Sequence, residues 1–260
     1  MQIGIIGTGN IATYLLEKIN EENWLNGEVI ALFGRNREVG EDLATRYGID
    51  FHTEFQDFLD APITMVVEAA TIEAANSYMK AVVTSKKNMI LSSIGVFNNI
   101  QLLDELKELA ESKGVQVSLP SGAIGGLDLL KSANAVNGLK HVQITTRKSP
   151  VSLGLQADHR EELLFEGSAK EAILKFPRNM NVALVLALAG IGIEKTRVQV
   201  IVDPAVKRNT HVIEAEGDFG NMKLQVENNP MPKNPKTSYL AALSILDALK
   251  NKHHSIRIGN

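Results

Sequence analysis

The stretch "MQIGIIGTGNIATYLLEKI", residues 1 to 19, constrains the fold more than any other part of the chain. An apolar run that begins at the second residue is interrupted by Gly7 and Gly9, after which Tyr14, Leu15, Leu16 and Ile19 recur at helical spacing. A buried strand, a turn of residues without bulk and a helix satisfy that pattern, and such a turn brings helix N–H groups up to a phosphate. Gly7 through Ala12 reads G-x-G-x-x-A. Gly7 permits the tight turn, Gly9 the approach of a pyrophosphate beside Asn10 and Ile11, and Ala12 close helix–strand packing. Alone the motif is weak. Its position after a strand and before a helix, opening a βαβ unit, is the context that gives it meaning.

The remainder of the first half keeps the same grammar. Strands are expected at 2–7, 28–33, 63–70, 88–93 and 115–119, with helical patterns at 10–20, 38–47, 72–85 and 99–112. Apolar strands without strict alternation, separated by helices, indicate a parallel sheet covered on both faces. After "LPSGAIGGLD" (119–128) strands cluster instead, at 141–147, 197–202, 210–217 and 222–227. Two helices are expected among them, at 126–136 and 179–190, the second apolar nearly all round. A last helix follows "NPKTS", with Thr237 or Ser238 as its N-cap. The fold class is therefore α/β: an N-terminal Rossmann-type doubly wound parallel sheet with a second α+β domain. The expected boundaries are 1–119 for the dinucleotide-binding domain and 120–236 for the catalytic and oligomerisation domain. The C-terminal helix, within 237–260, is a candidate to pack back on the first.

Composition narrows the function. With 44% apolar residues among 260 there is ample material for two cores. A net charge of -3 speaks against a nucleic-acid partner. The longest apolar run, "VALVLALAGIGI", is too short to span a bilayer. A strand beginning at the second residue leaves no room for a leader, so a cytoplasmic protein is expected. The absence of cysteine removes disulfides, thiolate metal sites and a cysteine nucleophile. No two histidines fall at ligand spacing on one helix, and no metal is expected.

The second strand ends "LFGRN" (32–36) with no carboxylate for a ribose 2′-hydroxyl. Arg35 suits a 2′-phosphate, so NADP is expected beside NAD; the plainer alternative is that Arg35 stacks on adenine or points to solvent. Glu68, at another strand end, suits a catalytic carboxylate, but the preferred reading is an acceptor for backbone or ribose. Lys236, Thr237 and Ser238 offer a cation and donors for a substrate carboxylate, or plain capping. The basic pairs at 147–148 and 207–208 read as solvated turn charges.

From "LPSGAIGGLD" onward the resemblance becomes specific. With "FPRNMNVALVLALAGIG", "TRVQVIVDP", "NTHVIEAEGDFG", "VENNP" and "NPKTSYLAALSIL", the chain resembles the L-aspartate dehydrogenase family over essentially its whole length. The resemblance implies oxidation of L-aspartate to iminoaspartate with NAD or NADP, and the reverse amination of oxaloacetate with ammonia. It also implies a product that feeds NAD biosynthesis, and a homodimer joined through the second sheet. His211, in "NTHVI", matches the family's catalytic histidine. Ala123 and Asn181 match positions that contact the dinucleotide. From the residues alone His211 reads first as a core histidine with a satisfied hydrogen bond; the family match is what turns the reading to a catalytic one. The rivals are a related two-domain reductase, resembling homoserine dehydrogenase or dihydrodipicolinate reductase, and a nucleotide-binding regulator without turnover.

Overall fold

A computed structural model describes residues 1–156, 160–176, 180–232 and 234–252, with the side chains of residues 235 and 236 left aside. The chain forms two compact units. One is Met1–Pro120 joined by the C-terminal stretch from Ser244; the other runs from Ser121 to Leu243.

The first unit is built on a six-stranded sheet. Its elements are β1 (Gln2–Ile6), α1 (Asn10–Leu16), β2 (Glu28–Phe33), α2 (Arg37–Tyr47), β3 (Asp50–His52), α3 (Phe55–Asp60), β4 (Met65–Glu68), α4 (Ile72–Thr84), β5 (Asn88–Leu91), α5 (Ile100–Lys113) and β6 (Val117–Ser118). The strands run parallel in the order β3-β2-β1-β4-β5-β6. Chain order therefore reverses beside β1, which pairs with β2 on one edge and β4 on the other. A crevice at the carboxyl ends of the strands belongs at that reversal. Helix starts are fixed locally: Asn36 accepts from Val39 N–H, Thr71 from Ala74 N–H and Asn99 from Gln101 N–H. Ile3, Ile5, Leu15, Leu16, Val29, Leu32 and Val67 form the core, and Ile245, Leu246 and Leu249 join it from α9 (Tyr239–Asn251).

The second unit holds α6 (Leu127–Ala133), β7 (Leu139–Lys148), β8 (Glu162–Ser168), α7 (Ala169–Lys175), α8 (Asn181–Ala189), β9 (Arg197–Val202), β10 (Asn209–Gly217), β11 (Gly220–Asn228), β12 (Pro230–Met231) and β13 (Asn234–Ser238). Its sheet runs β11-β10-β7-β9-β8. All neighbours are antiparallel except β7 and β9. One face is closed to solvent by Val142, Ile144, Val198, Val200, Val202, Ile213 and Ala215. In α8 every residue from Ala183 to Ala187 is buried, as expected of a helix apolar all round.

The expected list of elements needs correction. A third helix, α7, lies among the second-unit strands, started by a reciprocal capping box in which Ser168 Oγ accepts from Glu171 N–H and Glu171 accepts from Ser168 N–H. The strand before it, β8, was not expected either. It sits at the sheet edge with Glu162 and Leu163 exposed, so it lacks the alternation that marks a half-buried strand. The short β3 and α3 of the first unit were likewise missed. The turn between β10 and β11 is Asp218-Phe219, as "GDFG" suggests. Among the described residues no helix is long and apolar enough to cross a membrane.

Candidate functional site

The glycine turn closes directly on its neighbours. Gly7 has φ +119, a conformation open to glycine and strained for other residues, and a Cβ there would lie 2.6 Å from the Ala69 carbonyl oxygen. Its N–H donates to the Phe33 carbonyl at 2.8 Å, joining the ends of β1 and β2. Gly9 is different: a Cβ there would meet nothing within 4 Å. The space a side chain would take stays open at the first turn of α1, whose leading N–H groups need acceptors. Asn10 and Ile11 are the first two residues of that helix.

Gly7, Thr8, Gly9, Gly34, Arg35 and Tyr78 line a cavity of about 310 Å³ with Phe33, Asn36 and residues 69 to 71. Arg35 is exposed at its rim. Phe33, Phe55 and Tyr78 pack as a cluster beneath, with centroids 4.3 to 5.1 Å apart. The cavity fits a dinucleotide on three counts: backbone donors at a helix start, a cradle kept free of side chain, and a cation for a phosphate.

Glu68 ends β4 fully buried. It accepts from Ala70 N–H at 2.8 Å, Ser93 N–H at 2.8 Å and the Ser93 hydroxyl at 2.9 Å. Burial raises its pKa, and these bonds oppose the rise. Its carboxyl group ties β4 to the segment after β5, an acceptor for backbone.

In the second unit the inner face of the sheet turns polar at one end. His211 on β10 stands opposite Thr146 on β7 and Val226 on β11. It is 3% exposed, and its Nδ1 lies 3.0 Å from Thr146 Oγ1. Burial first, and then the charge of the neighbouring Lys148, together push the imidazole pKa down to about 3. His211 is thus neutral at physiological pH, with one ring nitrogen engaged by a hydroxyl. Two residues before His211, Asn209 pairs with Asn228 at the end of β11. Asn228 Nδ2 donates to the Ala123 carbonyl at 2.9 Å, fixing the "SGAIGG" turn at this same end. Ala123 is 7% exposed.

Asn181 opens α8. Ser238, the last residue of β13, is buried and pairs with Pro230, just past β11. Tyr239 N–H donates to the Asn229 carbonyl, tying the start of α9 to the same strand end. Thr237 Oγ1 accepts from Asn234 Nδ2 at 2.9 Å. Lys236 lies on β13 with its side chain outside the described residues, as are residues 177–179 and His159, His253 and His254, which bear no expected chemistry. The structure thus gathers Gly7, Gly9 and Arg35 at one cavity in the first unit, and His211, Thr146, Asn228 and Ala123 at one sheet end in the second.

One expectation fails here. Arg147 and Lys148 are not both solvated turn charges. Arg147 pairs with Glu161 at 2.6 Å and Asp203 at 3.0 Å. Lys148, the next residue along the strand, takes the opposite face, shared with Thr146, and is partly buried. Its position in a run ending "TTRKSP" looks like the start of a loop; the strand's alternation is the signal that could have separated the two.

Residues 128–252 match a family model described as aspartate dehydrogenase, C-terminal, and residues 7–120 match one described as homoserine dehydrogenase, NAD binding domain. The chain is 37% identical over 260 residues to an L-aspartate dehydrogenase of Methanospirillum hungatei, covering 100% of both chains. It is also 37% identical to one from Methanosarcina barkeri, covering 100% of this chain and 99% of the relative. Among solved structures, aspartate dehydrogenase from Thermotoga maritima superposes with a TM-score of 0.82 at 33% identity, covering 100% of this chain and 99% of that one.

The buried imidazole makes a prediction for the free protein. It takes up a proton near its ordinary value of 6.5 when unfolded and near 3 when folded, so unfolding binds a proton between those values. Stability from this group falls as pH drops through that window. From pH 7.5 to 5.5 the wild type should lose on the order of 1 kcal/mol more than His211→Gln in denaturant unfolding. Equal losses would mean that the imidazole titrates normally in the fold.

Proposed function

The chain belongs to the L-aspartate dehydrogenase family, and on that premise we propose that it oxidises L-aspartate to iminoaspartate with NAD or NADP. The reverse reaction is the reductive amination of oxaloacetate with ammonia. The observation that carries the reading is the buried, neutral His211 with Nδ1 against Thr146. The residues lining the glycine-turn cavity would hold the dinucleotide: the α1 start its pyrophosphate, Arg35 a 2′-phosphate. When bound, the nicotinamide supplies the acceptor for the hydrogen and electron pair leaving Cα.

The protein's own part is proton management. L-Aspartate carries an ammonium group, which must lose a proton before its nitrogen lone pair can close the C=N bond. In the tautomer with Nδ1–H donating to Thr146 Oγ1, Nε2 of His211 carries the free lone pair; burial makes it a weak base in the free protein, so it accepts that proton only with the anionic substrate bound beside it. In the amination direction the same nitrogen, once protonated, donates to the hydroxyl that leaves as water. The Ala123 turn and Asn181 are proposed as dinucleotide contacts. Lys236, Thr237 and Ser238 are proposed as substrate contacts, supported by the tie between the start of α9 and the end of β11. An iminodicarboxylate is a suitable precursor for a pyridine ring, which is the metabolic place the family resemblance suggests. The reading puts the protein in the cytoplasm.

The match of residues 7–120 to a homoserine dehydrogenase domain favours a second substrate for comparison. Purified protein should reduce the nicotinamide with L-aspartate and not with L-homoserine; the opposite result overturns the assignment. His211→Ala should lower kcat by about a hundredfold or more, the usual worth of a positioned general base. NADP affinity should stay within about twofold, since the histidine does not hold the nucleotide. Parallel loss of both would make the residue structural. Arg35→Ala should raise KM for NADP by about tenfold to a hundredfold, the worth of a charge-assisted hydrogen bond, and leave KM for NAD nearly unchanged. Equal changes remove the 2′-phosphate role.

A homodimer is proposed through the outer face of the second sheet. There Thr145 Oγ1 donates to Gln199 Oε1 at 3.1 Å, and Ile201 and Val212 are half-buried rather than fully solvated. Light scattering at several concentrations should give twice the chain mass; a persistent monomer contradicts it.

A further inference from the structure

The second-unit sheet carries a cation that the mechanism above does not use. Lys148 is the last residue of β7 and lies beside Val202 of β9, which is fully buried. Strand alternation puts its side chain on the inner face with Thr146 and Ile144, opposite in direction to Arg147. The two neighbours then differ sharply. Arg147 has two carboxylates at ion-pair distance. Lys148 has none among the described residues, and burial alone holds its ammonium below the ordinary lysine value. Its charge reaches His211 closely enough to disfavour a second positive charge there.

A partly buried ammonium without a counter-ion is costly, and the cost is not recovered within the fold. The polar residues around it are also unfinished. Asn228, on the adjoining row with Asn209, uses Nδ2 on the Ala123 carbonyl, while its buried Oδ1 has no hydrogen-bond partner among the described residues. Such a cation beside a proton-handling histidine is complementary to an anion that arrives with the substrate.

We infer that Lys148 is the residue that seats one carboxylate of the dicarboxylic substrate beside His211. This rests on the reading of His211 as the proton-handling group. It assigns Lys148 two effects. It selects acids over neutral amino acids at that position, because a neutral group there leaves the ammonium uncompensated. It also makes the imidazole responsive to occupancy: while Lys148 is bare it opposes protonation of His211, and a carboxylate on it cancels that opposition. The histidine then accepts a proton more readily with substrate in place than without.

The test uses succinate, a dicarboxylate with no amine to oxidise, on the full chain in saturating NADP. Lys148→Met should weaken succinate binding by calorimetry about tenfold to a hundredfold, the range for a hydrogen bond to a charged group. KM for L-aspartate should rise by a similar factor, with kcat changed by less than about fivefold and NADP affinity within about twofold. Lys148→Arg should recover part of the loss. Unchanged succinate affinity and KM in Lys148→Met overturn the inference. A wild type that binds succinate through Lys148 and yet never oxidises L-aspartate upholds the inference and refutes the proposed reaction instead. If Lys148→Met does not fold, acetylation of Lys148 in the wild type, read by mass spectrometry, decides the matter. Succinate should slow it about tenfold, and no protection contradicts the proposal.

Discussion

The contact between His211 Nδ1 and Thr146 Oγ1 is the interaction around which the polar end of the second unit's sheet is arranged. It lies on a sheet face that is otherwise hydrocarbon: Ile144, Val200 and Ile213 flank it, all essentially without solvent exposure. A charged imidazole would be expensive there, so the ring is held neutral. A hydroxyl can satisfy one nitrogen of a neutral ring without bringing in a charge of its own. The same strand pairing that buries the ring also sets its neighbours. Rows of residues across β7, β10 and β11 bring Thr146, Lys148, Asn209 and Asn228 to one end of the face, and Asn228 fixes the turn at Ala123.

The first unit solves a different problem, which is to present backbone rather than side chains. Gly7 can adopt φ +119 and come close to the Ala69 carbonyl, and Gly9 leaves a side chain's worth of space before α1. Around this turn the strand ends are tied down by Glu68, whose acceptors satisfy two N–H groups and a hydroxyl. A buried carboxylate is tolerated because donors surround it. Tied strand ends and an open glycine turn together make a cradle that suits a dinucleotide.

Much of this was legible in residues alone. The parallel sheet could be read because buried strands on both faces leave unbroken apolar runs such as "IGIIG" and "MVVEAA", and because the glycine spacing marks the turn after the first. The edge elements were not legible. β3 has three residues, and β8 carries a polar, half-solvated sequence whose place comes from pairing with β9. The helix after β8 did have a local signal, Ser168 three residues before Glu171, which the eye passes over without a longer apolar pattern behind it. At the candidate site, Arg35 and the glycines followed from motif and position. His211 could not be told from a core histidine by sequence pattern, and the structure shows why: it is a core histidine by burial, placed where the core ends. Lys148 was misread because charge in a "TTRKSP" run suggests solvent, and only strand direction separates it from Arg147.

The most direct measurement is a nitrogen-15 NMR titration of the histidine rings, with His211 identified by its absence in His211→Gln. The account predicts that the His211 imidazole stays neutral from pH 8 down to pH 5 in the free protein. It also predicts that its Nε2 signal moves when NADP and a dicarboxylate are added together. A ring that titrates near 6.5 like an exposed histidine, and whose signal is unmoved by the dicarboxylate, would contradict the claim that a desolvated imidazole at this position handles the substrate's proton.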